Sequence, residues 1–121
     1  MNKYVRIMHP GEAAIVRATG IVPTNRDDWG KHKAGTVVFL FEADRVSWAY
    51  VCSRAEDLVE ECGRAVILSF QSSFAHSVDE SGWDGGGAVV HNGQLAISAV
   101  MNPQWRIYSS LPTGGGLPCQ H

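Results

Sequence analysis

Two near-continuous apolar runs, Thr36-Val37-Val38-Phe39-Leu40-Phe41 and Ala65-Val66-Ile67-Leu68-Ser69-Phe70, constrain what this chain can fold into. A strand with one wet face alternates apolar and polar residues. An unbroken apolar run therefore reads as a central strand covered on both faces. At 121 residues the chain fits one domain. A domain of this size buries roughly two-thirds of its unfolded surface, so it needs neither disulfide nor metal to fold.

The remaining elements follow from periodicity and punctuation. Tyr4-Val5-Arg6-Ile7-Met8 alternates like a first strand. His9 caps a helix with Pro10 at its first position, Glu12 at its positive end and Gly20 as its stop. Ile21 to Lys33 is polar and turn-rich, and a loop of that length is either functional or mobile. Asp44 is expected to cap a second helix through Val46, Ala49, Tyr50 and Ser53, with a shorter helix from Asp57 to Cys62 ending at Gly63. Ser72 to Gly87 is a second long loop. Ala88 to His91 is a short strand before the Asn92-Gly93 turn, Leu95 to Met101 fits no single element, and Trp105 to Tyr108 closes the sheet. The order lacks a regular βαβ repeat and defines an α+β class. Residues 1–110 are expected to form the domain, and residues 111–121, with Gly114-Gly115-Gly116, a flexible tail.

Composition excludes several function classes. The net charge of −2 gives no strong footprint for nucleic acid or an anionic membrane, although a local basic groove stays open. No run approaches the roughly 20 apolar residues of a membrane span, and the N-terminus lacks a secretory pattern. Three cysteines, Cys52, Cys62 and Cys119, are an odd number at irregular spacing. They argue against a disulfide framework and for a reducing, cytoplasmic location, with Cys52 and Cys62 as small buried residues. None of the five histidines pairs with another ligand at helical spacing, so no metal site is expected. Gly85-Gly86-Gly87 opens no helix after a strand and is no dinucleotide fingerprint. Trp48 reads as core. Trp29 and Trp83 lie in the two long loops, where they either pin the loop or stack on a flat ligand.

Three segments in order carry a resemblance. They are Tyr4 to His9 with the helix closed by Gly20-Ile21-Val22-Pro23; Val37 to Phe41 with the helix bearing Ala49-Tyr50; and Ala88-Val89-Val90-His91-Asn92-Gly93-Gln94-Leu95-Ala96-Ile97. Over roughly residues 4–110 this series resembles the ADP-ribosyltransferase-like superfamily, in its small toxin-type and RNA 2′-phosphotransferase-like members. The resemblance implies a small split β-sheet fold with two or three short helices, gripping NAD in a cleft between half-sheets. It implies that Arg6 or His9 contacts the ribose or phosphates. Tyr50, or Phe41 in its place, would stack on nicotinamide. The third motif normally supplies a carboxylate that stabilises positive charge developing on the sugar and can take the acceptor's proton. Gly86, Gly87 and Ala88 stand where that acid would be, and the nearest acids are Glu80 and Asp84.

Two functions follow from the resemblance. One is NAD-dependent ADP-ribosyl transfer to a macromolecular acceptor, with Asp84 or Glu80 as the acid. The other is a non-catalytic binding or inhibitory protein of the same fold, engaging a partner protein through its long loops. Each residue also has a plain structural role: Arg6 on an edge strand, His9 as a helix cap, Tyr50 as core, and Glu80 and Asp84 as solvated loop acids. If the loop acids are catalytic, Glu80→Ala with Asp84→Ala abolishes transfer of label from NAD; full activity in the double variant rejects them.

Overall fold

The computed structural model describes residues 1–78 and 88–109. In chain order the elements are β1 (Asn2–Met8), α1 (Pro10–Thr19), β2 (Ile21–Val22), β3 (Val37–Glu42), α2 (Trp48–Cys62), β4 (Arg64–Ser72), β5 (Ser77–Val78), β6 (Ala88–Asn92), β7 (Leu95–Ala96), a 3₁₀ turn (Ile97–Ala99) and β8 (Met101–Ser109). Six strands form one antiparallel sheet in the order β5-β6-β3-β1-β4-β8, and β2 pairs with β7 as a separate ribbon. The two apolar runs are β3 and β4, both interior to the sheet and flanking β1. Being antiparallel to the same neighbour, they run parallel to each other, and α2 makes the crossover between them.

Alternation along the strands divides the core into two layers. Tyr4, Met8, Leu40, Leu68 and Phe70 pack with Ala13 and Val16 of α1 and with Val22 and Leu95 of the ribbon. Val5, Ala65, Ile67 and Tyr108 pack on the opposite face against Val51, Cys52, Ala55 and Val59 of α2. This is the α+β class expected, with its central strands buried from both sides.

Both helices stop and start on local chemistry. At α1, the His9 ring Nδ1 accepts the Glu12 backbone N–H at 3.1 Å, Pro10 occupies the first turn, and Gly20 closes the helix at φ 74°. At α2, Ser47 is the cap, not Asp44; its Oγ accepts the Tyr50 N–H at 3.1 Å. No glycine or proline interrupts residues 48–62, so the two short helices expected there are one helix of 15 residues, ended by Gly63 at φ 82°.

Other departures are short elements without a periodic signal. Ile21-Val22 pairs with Leu95-Ala96 through two residue pairs, although Ile21 begins a stretch read as loop. Ser77-Val78 adds an edge strand beside β6 within the second long loop. Cys62 is exposed and free, whereas Cys52 is buried and disulfide-bonded. An odd count rules out complete pairing but not a single bridge, and that is where the cysteine expectation failed. Among the described residues no helix is long and apolar enough to cross a membrane. The tail and the expected acids Glu80 and Asp84 lie outside the described residues.

The Asn25 side chain braces the loop from Pro23 to Thr36 at four points. Asn25 Nδ2 donates to the Asp27 and Lys33 carbonyls at 2.9 and 3.0 Å, and its Oδ1 accepts from Thr36 and Val37 N–H, both at 3.1 Å. Trp29 and His32 exchange two backbone hydrogen bonds at 2.8 Å, making a tight turn that leaves Trp29 40% exposed.

Tyr108 ties β8 to the α2 layer and is 1% exposed. Burial first, and the adjacent Glu56 carboxylate second, hold its phenol above the ordinary value of 10.0. The native state thus keeps a proton that the unfolded chain releases. Stability is unaffected below the unfolded tyrosine pKa and falls as pH rises above it. We expect urea midpoints measured upward from about pH 9.5 to decline, and Tyr108→Phe to flatten that decline; an unchanged slope would contradict the assignment.

Candidate functional site

The β1–β4 ladder holds seven residue pairs, from Asn2–Ser72 to Met8–Val66. The β1–β3 ladder holds only two, Tyr4–Glu42 and Val5–Phe41. Past Val5 the sheet parts, and a cavity of about 660 Å³ opens between Arg6 and Ile7 of β1, Phe39 to Phe41 of β3, the second half of α2, and Ala88 of β6. That volume lies within the range of small-molecule sites.

Arg6 spans the gap. Its Nε and Nη2 donate to the two Glu12 carboxylate oxygens at 2.7 and 2.6 Å, and Nη1 donates to the Phe39 carbonyl at 2.6 Å. The planar fork matches a carboxylate, and the third nitrogen is left to reach β3. Arg6 and Glu12 side chains are only 17% and 15% exposed, so the pair is largely desolvated.

On the same opening, α2 presents Arg54, Asp57, Glu60 and Glu61. Arg54 Nη1 lies 3.7 Å from Asp57, a contact one helical turn apart. Arg6 and Arg54 thus face three carboxylates, so the lining carries net negative charge. The aromatic wall is Phe39 and Phe41. Phe41 meets Tyr50 edge-on at 5.9 Å, and Phe39 meets His32 edge-on at 5.6 Å.

The residues picked out from the sequence distribute as follows. Arg6 and Phe41 line the cavity. Tyr50 meets Phe41 edge-on and is not part of the lining. His9 caps α1 and connects to the opening only through Glu12, whose N–H it accepts and whose carboxylate holds Arg6. Glu80 and Asp84 lie outside the described residues. Sequence reasoning missed Glu12 as the partner of Arg6, because an acid in a first turn has a sufficient local explanation. It also missed the α2 carboxylates. Their spacing at 57, 60 and 61 marks one helix face, but nothing local says which strand that face meets.

A second polar cluster sits at the point where β1 and β3 are still joined. His76 Nδ1 is 2.8 Å from the Tyr4 hydroxyl, and its Nε2 is 3.0 Å from the Glu42 carboxylate. Phe74 stacks on Tyr4 at 4.6 Å. Tyr4 and Glu42 are a register pair, so His76 fastens the ladder just before it opens. Among the described residues no group of three or more His, Cys, Asp or Glu side chains could hold a metal ion.

No known family profile matches the chain, and no curated protein or solved structure matches it either.

Removing one member of a desolvated ion pair strands the other. We expect Glu12→Ala to lower unfolding free energy by roughly 2–3 kcal/mol, at the low end for such pairs because both groups keep some solvent. The double variant Arg6→Met/Glu12→Leu should lose less. Urea denaturation of both proteins checks this; equal losses would mean that Arg6 is not held by Glu12.

Proposed function

We propose that the chain is an NAD-dependent ADP-ribosyl transfer protein acting on a macromolecular acceptor, with the opening between β1 and β3 as its cofactor site. The observation that carries this reading is the parting of these two strands, which brings two arginines, an aromatic pair and three carboxylates around one cavity. The lining suits one end of the cofactor best. A cationic nicotinamide ring would lie against Phe41, across from Asp57, Glu60 and Glu61. Arg6 and Arg54 are the cationic side chains of the described lining, and ribose or phosphate oxygens would lie toward them.

When bound, NAD supplies a ribose carbon whose bond to nicotinamide breaks with positive charge developing on the sugar. The protein's part is to hold that charge and to accept a proton from the attacking acceptor. A carboxylate is needed close to Ala88, where the resembled motif lacks its acid. Among the described residues Asp57, Glu60 and Glu61 are the carboxylates on that opening. Glu60 and Glu61 also sit in the last turn of α2, which has no basic residue. The helix dipole disfavours acids there by about 0.3–1 kcal/mol each. A cationic ligand would offset that cost.

A second reading has its own support. The Pro23–Thr36 loop is ordered by the Asn25 hydrogen bonds rather than loose, and it presents an exposed Trp29. A preordered loop with an aromatic tip loses little entropy on docking, which suits a non-catalytic protein that grips a partner. Titration with NAD separates the two. On the transfer reading NAD raises the melting temperature, Phe41→Ala weakens NAD binding by about tenfold, and Glu60→Gln/Glu61→Gln lowers release of nicotinamide by about a hundredfold or more. No thermal shift with millimolar NAD would reject it in favour of the partner-binding protein.

A further inference from the structure

We infer that the chain has a second ligand site, on the sheet face under the first turns of α2, that takes a flat-ringed organic anion. A cavity of about 750 Å³ lies there, apart from the β1–β3 opening. Its floor is apolar: Val5 of β1 and Ile67 of β4, with Val51 of α2 above them. Val5 and Ile67 are 4% and 1% exposed, so they are fixed parts of the core and not mobile rim. Trp48, the first residue of α2, supplies an aromatic wall.

The charges at the rim have one sign. Lys3 enters from β1 and Arg106 from β8, and the other polar side chains of the lining, Ser69 and Gln104, are neutral. Register explains the arrangement. Ser69 of β4 pairs with Val5 on one side and Gln104 on the other, so Lys3, Ser69, Gln104 and Arg106 belong to the same face across three adjacent strands. Among the described residues no carboxylate lines the cavity, and neither Lys3 nor Arg106 has an ion-pair partner. In a chain of net charge −2, two unpaired cations around one cavity are a local reversal of the overall field. The Arg106 guanidinium lies 5.0 Å over the Trp48 ring, which holds its charge at the mouth instead of leaving it to swing into solvent.

These features specify the ligand's chemistry. A flat ring fits between the aliphatic floor and the indole. Ser69 and Gln104 can each donate or accept a hydrogen bond at the ring's edge. The anionic group meets Lys3 or Arg106 at the mouth, where a charge-assisted hydrogen bond is stronger than one between neutral groups. The size suits a mononucleotide or an aryl sulfonate or carboxylate, well short of a peptide. The site goes beyond the proposed transfer function and does not depend on it, because it shares no lining residue with the β1–β3 opening.

The test titrates the full chain with AMP and with naphthalene-1-sulfonate, following the Trp48 indole N–H by two-dimensional NMR, with Trp48→Phe to assign that signal. The expected result is a saturable shift of the Trp48 signal by at least one probe. Adenosine or naphthalene, the uncharged counterparts, should bind at least about tenfold more weakly. Lys3→Gln/Arg106→Gln should reduce the anion's affinity to that of its neutral counterpart. Both side chains are exposed, so this variant is expected to fold. Phe41→Ala, at the other cavity, should leave the titration unchanged, which keeps the outcome separate from the NAD reading. The inference is overturned if neither anion moves the Trp48 signal, if the neutral counterparts bind as well, or if the double variant binds the anion undiminished.

Discussion

Where β1 stops exchanging backbone hydrogen bonds with β3, the Arg6 side chain does the joining. One guanidinium bonds Glu12 of α1 through two nitrogens and the Phe39 carbonyl of β3 through the third. A lysine could not do this, because its ammonium is a point charge without a planar fork. The arrangement lets two strands diverge without the sheet coming apart, and it leaves a lined opening where a continuous ladder would have left none. His76 secures the paired side of the same junction by bridging Tyr4 and Glu42. The opening is therefore bounded by two side-chain links, each made by a residue distant in sequence from at least one of its partners.

The α2 face of the sheet carries two cavities of opposite character. Near the start of the helix the lining is cationic and otherwise neutral, with Lys3 and Arg106 at the rim. Near its end the lining is mainly anionic, with Asp57, Glu60 and Glu61. Coulomb interactions inside partly closed cavities are less screened than on open surface, so this separation matters more than the small net charge of the chain suggests. The cavity near the helix end favours a ligand part with positive charge and the other favours an anion, so the two sites should not compete for one ligand group.

Much of the fold was legible in the residues. The near-continuous apolar runs at 36–41 and 65–70 mark strands covered on both faces, because they are short and rich in β-branched and aromatic residues. His9-Pro10 and Gly20 mark the ends of α1, because caps are made by neighbours in the chain. The reading failed where the signal was short or missing. β2 and β5 are two residues long and exist only because β7 and β6 lie beside them. The break imagined inside α2 had no glycine or proline to cause it. At the opening, Arg6 and Phe41 could be singled out from their strands, but Glu12 and the α2 acids could not. Their roles depend on which helix faces which strand.

The sequence alone determined the α+β class, the two buried central strands and the helix ends at His9, Gly20 and Gly63, since periodicity, capping and glycine conformations act over a few residues. Only the tertiary structure decided that β1 parts from β3 after Val5, that Arg6 closes the gap, and that the charges of α2's neighbourhood separate into two cavities. Those outcomes depend on register and on contacts between residues tens of positions apart. Such contacts form only when the whole core packs and leave no periodic trace in the chain.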